Sequence, residues 1–406
     1  MEFTLKEIKP ILKYIIENNQ KLQANGQFPV SVGLMSHPGV GKTSLIEQIA
    51  QELDYNYIKL NLSQITDSAE ICGWPFKEHY VCKDYEDGTS ECAWIPSELV
   101  EIYARSGWHL TPETRMSYAV PMWLKNIDPN KKLIVNLDDF SRAGNQVIQS
   151  VYELICRQEY LSWKLPPGTT LFLTSNYEDS GENVTSLDEA AKTRFINFDV
   201  KFDKYAYAEY AERIGIDGRA INFILSSADE LMDRSVTKEA KVNARNYTMF
   251  ANIISGIPDW SDPKNLALIL QIAAGCFLDE DGIVGGMFTT FIANKLDKLL
   301  SPEDLIHKDW AHVKGVLERQ LYDDDNYRAD IASIVTTRFV NYSLKHLEQK
   351  GNSVDPISDR ILKIVDNDKQ LLSEDLLFNL IKTLNKKFPG RCNKLILNPK
   401  IAKRLM

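Results

Sequence analysis

The sequence of 406 residues lacks several features that would assign it to a common class. Its six cysteines include no C-x-x-C pair, so neither a zinc site nor a dithiol redox site is indicated, and we expect free, reduced cysteines. The first residues carry no apolar signal core, and the longest apolar run, 266–278, contains Gln271 and is too short to span a bilayer. We therefore expect no membrane insertion and a cytoplasmic protein.

The net charge of −9 argues against a protein that coats nucleic acid over its whole surface. Residues 382–406 differ, because they contain eight Lys or Arg residues and no acid. Such a segment could bind nucleic acid or an acidic partner surface, although most basic tails are simply solvated. Nucleic acid is thus a possible but disfavoured partner.

Apolar runs alternate with helical patterns in the first half of the chain. Short apolar runs predict buried strands at 30–35, 57–62, 133–137 and 171–175. Apolar residues at helical spacing predict helices at 4–24, 43–53 and 147–157. This alternation indicates an α/β fold with a parallel sheet flanked by helices.

The chain length allows two or three domains. We expect an N-terminal helix at 1–27 and an αβα core at 28–202. Asp87-Gly88 predicts a β-hairpin inserted in the core near 76–95. After residue 203 the strand pattern ends, which predicts a helical lid at 203–256 and a helical C-terminal extension at 257–406.

A glycine-containing turn between the first predicted core strand and the next helix has the spacing of a P-loop (Walker A), with serine in place of the first glycine. Gly39 and Gly41 let backbone N–H groups point at phosphate oxygens. Lys42 is predicted to reach the β- and γ-phosphates of ATP, and the Thr43 hydroxyl to ligate Mg²⁺. An ordinary glycine turn is the alternative, and the strand–turn–helix context disfavours it. The predicted ATP contacts are Ser36, His37, Pro38, Gly39, Val40, Gly41, Lys42, Thr43 and Ser44.

Two acids and one amide end the later core strands. Asp138 follows the run at 133–137, where it would hold the Mg²⁺ shell, and Asp139 would polarise the attacking water. Asn176 ends the next buried strand and could bind the γ-phosphate or that water. Taken alone, each could equally end a strand or start a turn. The P-loop upstream makes the catalytic interpretation the better one.

The order of these motifs resembles the MoxR branch of AAA+ ATPases over residues 28–256. The resemblance rests on the P-loop, on Asp138-Asp139-Phe140-Ser141-Arg142-Ala143, on Asn176 and on Leu187-Asp188-Glu189-Ala190-Ala191-Lys192-Thr193-Arg194-Phe195. It implies that Arg194 is an arginine finger for a neighbouring subunit and that the inserted hairpin is a family feature. Val242-Asn243-Ala244-Arg245-Asn246 is similar to the arginine-bearing motif of the helical lid, which implies that Arg245 is a second sensor.

The resemblance further implies a homo-oligomeric ring, usually hexameric, that uses ATP and Mg²⁺ to remodel a protein client, often one with a von Willebrand factor A domain. Three residues depart from the family pattern: Asp139 for Glu, Ser141 for Asn and Thr193 for Asp. A carboxylate one methylene shorter would place the attacking water less well, so we expect slow turnover. Two alternatives stay open: a nucleic-acid motor or loader, and a nucleotide-gated scaffold with weak hydrolysis.

Overall fold

The computed structural model describes residues 2–177, 193–232, 240–349, 351–399 and 401. The chain forms two compact units, Met1–Lys201 and Phe202–Met406. The first contains a parallel sheet flanked by helices, and the second is helical. The predicted fold class is therefore confirmed.

The elements of the first unit alternate as the sequence predicts. Its strands are β1 (Glu2–Thr4), β2 (Val32–Ser36), β3 (Asn56–Asn61), β4 (Pro75–Asp84), β5 (Ser90–Pro96), β6 (His109–Tyr118), β7 (Leu133–Asp138), β8 (Glu159–Tyr160), β9 (Trp163–Lys164), β10 (Thr170–Asn176) and β11 (Ile196–Lys201). Its helices are α1 (Leu5–Ala24), α2 (Lys42–Glu52), α3 (Ala69–Cys72), α4 (Val100–Arg105) and α5 (Asn145–Arg157).

The sheet of the first unit has six parallel strands in the order β1-β11-β2-β10-β7-β3. Its central strands are continuous apolar runs because helices cover both faces, and every residue of β7 is buried. The four strands predicted for the core correspond to β2, β3, β7 and β10. The edge strand β1 and its neighbour β11 were not predicted, because β1 has three residues and β11 mixes polar with apolar side chains.

Helices α1 and α2 pack on one face of this sheet, and α5 packs on the other. On α1, Ile8, Leu12 and Ile16 are fully buried against the same face as α2. The helix begins at a capping box, in which the Thr4 hydroxyl accepts from the Glu7 N–H and the Glu7 carboxylate accepts from the Thr4 N–H. Residues 1–27, expected as a separate helix, are instead a strand and a helix built into the first unit.

The insert in the first unit is a three-stranded antiparallel sheet in the order β5-β4-β6. Strands β4 and β5 form the hairpin expected near 76–95, and they turn at Asp87-Gly88, where Gly88 has φ +81°. Strand β6 pairs with the other edge of β4 and was not predicted. The insert is therefore a small sheet and not a lone hairpin.

Cys82 and Cys92 lie directly opposite each other on β4 and β5 and form a disulfide. The expectation of six free cysteines is therefore wrong for this pair. Their spacing of ten residues carries no metal or redox motif, but the chain reverses midway between them and so brings them face to face. The free cysteines are Cys72, Cys156, Cys276 and Cys392.

The second unit consists of helices and one short hairpin. Its helices are α6 (Lys204–Ile214), α7 (Gly218–Leu231), α8 (Ala244–Ile254), α9 (Pro263–Phe277), α10 (Ile283–Ala293), α11 (Pro302–His307), α12 (Trp310–Leu321), α13 (Ala329–Glu348), α14 (Asp355–Val365), α15 (Glu374–Lys387) and α16 (Asn393–Ile396), and its strands are β12 (Tyr322–Asp323) and β13 (Asn326–Tyr327). In the part of the chain that is described, no helix combines the length and apolar character needed to cross a bilayer.

One hydrophobic core runs through the whole second unit. The ring centroid of Phe223 on α7 lies 5.1 Å from that of Phe288 on α10, and the buried Trp260 packs 5.6 Å from Phe288. Residues 203–256 and 257–406 were expected as a lid and a separate extension. Aromatic packing across residue 256 joins them in one core, so the chain has no division there.

Gly33 in β2 provides a test of the packing beneath the sheet. A Cβ at Gly33 would lie 2.6 Å from the ring of Phe195. We expect Gly33→Ala to lower the free energy of unfolding by about 1–3 kcal/mol, the usual cost of overpacking, measured by urea denaturation. The control is Gly275→Ala inside α9, where a Cβ meets no atom within 4 Å and alanine favours the helix. Equal losses of stability in the two variants would contradict this packing.

Candidate nucleotide-binding site

The site lies at the carboxyl ends of three neighbouring strands, β2, β10 and β7. Asn176 at the end of β10 is in register with Ser36 at the end of β2. On the other side of β10, Leu173 is in register with Leu137, the residue before Asp138. In open α/β sheets ligands bind outside the carboxyl ends of the strands, so this edge is the expected position for a site.

The turn between β2 and α2 has a backbone suited to phosphate. Gly39 and Gly41 have φ of +77° and +102°, the left-handed region that favours glycine. Gly41 is also the N-cap of α2 and provides no side-chain acceptor for the first N–H groups of that helix. Free N–H groups at a helix start, together with the helix dipole, attract anions. The loop can therefore hold phosphate oxygens with its backbone alone.

His37 forms one wall of this turn. Its ring packs edge-on against Tyr177, with the centroids 5.1 Å apart. Its buried Nε2 has no hydrogen-bond partner among the described residues.

The Lys42 ammonium lies between the ends of β2 and β10. Its Nζ donates to Ser36 Oγ at 2.6 Å and to Asn176 Oδ1 at 3.0 Å. Lys42 is only 8% exposed, so the sheet edge holds a positive charge close to the phosphate-binding turn. The structure thus brings together three of the predicted site residues, Ser36, Lys42 and Asn176.

Asp138 at the end of β7 faces the first turn of α2. The Thr43 hydroxyl donates to Asp138 Oδ1 at 2.8 Å, and the buried Thr174 hydroxyl donates to the same oxygen. The Lys59 ammonium lies 2.8 Å from Asp138 Oδ2. Burial would raise the pKa of Asp138, but hydrogen bonds from Lys59, Thr174 and Thr43 hold it below its ordinary value. The carboxylate is therefore kept ionised.

Thr43 and Asp138 fit a magnesium ion by their chemistry. A hydroxyl and a carboxylate oxygen are hard ligands of the kind that Mg²⁺ prefers, and Mg²⁺ in such sites is bound by one or two protein oxygens plus phosphate and water. Their contact at 2.8 Å brings both oxygens to one point beside the phosphate-binding turn. The predicted metal ligands therefore lie together.

Asp139 follows Asp138 where the chain leaves the sheet. Its backbone is left-handed, with φ +54° and ψ +39°, and it caps a short 3₁₀ helix at Phe140–Arg142. Phe140 is fully buried, and its ring centroid lies 6.2 Å from that of Phe195, which fixes the turn. Asp and Asn enter the left-handed region more readily than other non-glycine residues. This backbone favours aspartate over glutamate at the position.

The two predicted arginines lie in different units. Arg194 in the first unit is exposed, and its guanidinium carbon lies 4.6 Å from the ring centroid of Tyr152 on α5. Arg245 in the second unit is exposed in the first turn of α8, after the capping residue Asn243. Its role as a second sensor stays a prediction. Residues 187–192 of the motif that precedes Arg194 lie outside the described residues.

Two polar residues of the site were missed from the sequence. Thr174 lies inside an apolar strand and Lys59 lies on β3, and both bind Asp138. One indication in the sequence pointed to a role for Lys59: it is a charged residue among the mostly apolar residues of a predicted strand. Its partner depends on the pairing of β3 with β7, which a single sequence does not reveal.

Comparisons with known proteins match part of the first unit. Residues 32–92 match the family model described as ATPase family associated with various cellular activities (AAA). A segment of 62 residues is 42% identical to Lon protease of Mycoplasmopsis agalactiae (strain NCTC 10123 / CIP 59.7 / PG2). That segment is 14% of this chain, and the chain spans only 6% of the length of that protease.

Among solved structures, the chain is similar to the Thermotoga maritima RuvB Holliday junction branch migration motor, with 16% identity and a TM-score of 0.29 over 67% of this chain and 78% of that one. A point mutant of the same RuvB gives 16% identity and a TM-score of 0.30 over 67% and 80% of the two chains. The match to the AAA family model, which begins in β2 and includes the phosphate-binding turn, supports an AAA+ P-loop ATPase.

Proposed function

We propose that the protein is a MoxR-like AAA+ ATPase, which binds and hydrolyses ATP with Mg²⁺ and works as a ring, usually a hexamer in that family, to remodel a protein client. The observation that carries the proposal is the convergence of Lys42, Thr43, Asp138 and Asn176 at one sheet edge. A phosphate-binding turn alone could bind many anions. Phosphoryl transfer from a nucleoside triphosphate needs more than this turn: it needs a lysine, a pair of metal ligands and an amide beside the turn.

Binding begins with the phosphates. The N–H groups of residues 39–43 would hold the β-phosphate, and the helix dipole of α2 would add to the attraction. Lys42, bonded to Ser36 and Asn176, already lies at the sheet edge, where it would contact the β- and γ-phosphates. Ser36 and Asn176 thereby hold the lysine in place before ATP arrives.

Thr43 and Asp138 would hold the magnesium ion. When bound, the ion neutralises charge on the β- and γ-phosphate oxygens during transfer. Asp139 lies one residue further along and would orient the attacking water. Asn176 would bind the γ-phosphate or that water with its amide N–H groups, since its Oδ1 accepts from Lys42.

Arg194 supports a site shared between subunits. It is exposed, and a flat aromatic ring holds its guanidinium at the surface of the first unit. An arginine supplied by a neighbouring subunit stabilises the charge of phosphoryl transfer. Head-to-tail interfaces of this kind close into rings. A client with a von Willebrand factor A domain follows from the MoxR resemblance alone.

A nucleotide-gated scaffold is the second candidate, and Asp139 is the observation that favours it. Its shorter side chain and left-handed backbone place the carboxylate differently from a glutamate. Such a protein would bind ATP and assemble but turn over slowly. A nucleic-acid motor would instead show hydrolysis that DNA stimulates and that salt suppresses.

Lys42→Ala tests the phosphate site. Removing a charged donor to phosphate should weaken ATP binding by about tenfold to a hundredfold, and hydrolysis should be lost with it. Isothermal titration with ATP and Mg²⁺ measures the affinity. Lys131→Ala is the control, because it breaks an exposed ion pair with Asp54 elsewhere in the first unit. Wild-type affinity in the Lys42 variant would remove the basis of the proposal.

Asp139→Glu tests whether the shorter carboxylate limits turnover. We expect ATP affinity to stay unchanged and the steady-state hydrolysis rate to rise by up to about a hundredfold, because a misplacement of order 1 Å costs that much. The left-handed backbone should make the variant slightly less stable. Asp139→Asn, which keeps the backbone preference, should abolish hydrolysis. A Glu variant no faster than the wild type would argue against a role in placing water.

Arg194→Ala tests the shared site by complementation. The variant should bind ATP normally but hydrolyse it about 10³-fold more slowly or worse, as for other arginine fingers. Mixing it with Lys42→Ala should restore activity, because one subunit then supplies Arg194 to ATP held by the other. Arg157→Ala, an exposed arginine on α5 paired with Glu153, is the control and should leave the rate unchanged. No recovery in the mixture would rule out action between subunits.

A further inference from the structure

Asp138 has a cation beside it that the proposed mechanism does not use. Thr43 and Thr174 occupy Oδ1, and the Lys59 ammonium lies 2.8 Å from Oδ2. Both oxygens of the proposed metal ligand are therefore engaged within the chain itself. A lysine at this distance forms a full ion pair with the carboxylate.

The pairing of β3 with β7 places Lys59 at this carboxylate. Lys59 is in register with Asn136, and Asn61 with Asp138, so the lysine reaches diagonally, two residues along the partner strand. One step earlier, the Tyr57 hydroxyl accepts from Asn136 Nδ2 at 3.3 Å along the same diagonal. The two contacts follow the same diagonal on one face, so the pairing of β3 with β7 places Lys59 beside Asp138.

The Lys59 ammonium lies at Oδ2 of the carboxylate whose Oδ1, in contact with Thr43, is the proposed metal ligand. An ammonium and a magnesium ion on the same carboxylate would repel each other strongly at such short range. This repulsion favours a Lys59 position further from Asp138 when that carboxylate joins the shell of a metal ion. The ion pair therefore lowers the affinity of Asp138 for a metal ion.

The structure gives Lys59 room to move. Its side chain is 45% exposed, whereas that of Asp138 is 11% exposed. Lys59 also lines a cavity of about 760 Å³ in the first unit, together with the polar residues Asn61, Gln64 and Glu70. The cavity leaves space beside β3 into which a lysine side chain on that strand can move.

We propose that Lys59 is a positioning residue that stands in for the metal ion at Asp138 in the nucleotide-free protein and raises the Mg²⁺ concentration needed for nucleotide binding. The inference rests on the proposed function, because it assumes that ATP and Mg²⁺ bind at this edge. Without metal, Lys59 supplies the positive charge that keeps Asp138 from repelling the phosphates. With metal, it competes with the ion for the same carboxylate.

Lys59→Gln separates these two effects when ATP affinity is measured by isothermal titration, once in excess EDTA and once in Mg²⁺. In EDTA the variant should bind ATP more weakly than the wild type, because Asp138 is left without a cation. In Mg²⁺ it should bind at least as tightly. We expect the ratio of affinity in Mg²⁺ to affinity in EDTA to rise about tenfold, as the loss of one close charge pair at a partly exposed site implies.

The control is Lys131→Gln, which removes the Lys131–Asp54 ion pair just before β7 and β3 begin, at the opposite edge of the same two strands. It should leave the ratio unchanged. Lys59→Arg keeps the charge and should also keep the wild-type ratio. General loss of structure would weaken binding under both conditions and leave the ratio constant, so the ratio reports the charge at Asp138.

An unchanged or lower ratio in Lys59→Gln would overturn the inference while leaving the proposed function intact, provided that the wild type binds ATP. A rise of equal size in Lys59→Arg would overturn it too, since the charge would then not be the cause. If the wild type binds no ATP in either condition, the proposed function fails and the inference fails with it.

Discussion

The parallel pairing of β2, β10 and β7 is the constraint on which the site depends. No two of Ser36, Asp138 and Asn176 are near in sequence, and each stands at the end of its own strand. The register between these strands brings the three ends to one edge, where α2 begins. Lys42 and Thr43 in the first turn of α2 then contact Asn176 and Asp138. A slip of one residue in either pairing would turn these side chains to other faces of the sheet.

Much of this arrangement could be predicted from the sequence. Central strands of a parallel sheet are covered on both faces, so they are continuous apolar runs that a single sequence reveals. The P-loop has a fixed spacing because its glycines shape the backbone around phosphate, its lysine contacts phosphate and its hydroxyl binds Mg²⁺. Asp138 and Asn176 could be found because a polar residue that ends a buried strand is unusual. The structure brings these residues together at one edge of the sheet.

The rest depended on contacts between distant segments. Strand β1 has three residues and is a strand only because β11 pairs with it. The two cysteines of the disulfide meet only because the hairpin brings them together. Lys59 reaches Asp138 only because β3 pairs with β7. The expected division after residue 256 was wrong because aromatic packing, which leaves no mark in local composition, crosses it. Local patterns show which elements exist, whereas register and packing decide which residues meet.

In the proposed mechanism the end of β7 carries two neighbouring acids with different tasks, Asp138 in metal binding and Asp139 in turnover. Asp138 is buried and held by three donors, so its position is fixed before any ligand binds. Asp139 lies beyond the last paired residue, on a left-handed turn whose conformation is set by the buried Phe140. A change at Asp139 therefore affects the turn and leaves the sheet edge intact. Under the proposed function, the chain can therefore keep its phosphate and metal contacts while Asp139, the residue proposed to place water, differs from the MoxR pattern. In this proposal nucleotide binding depends on the sheet edge, and the rate of hydrolysis depends on one residue outside it.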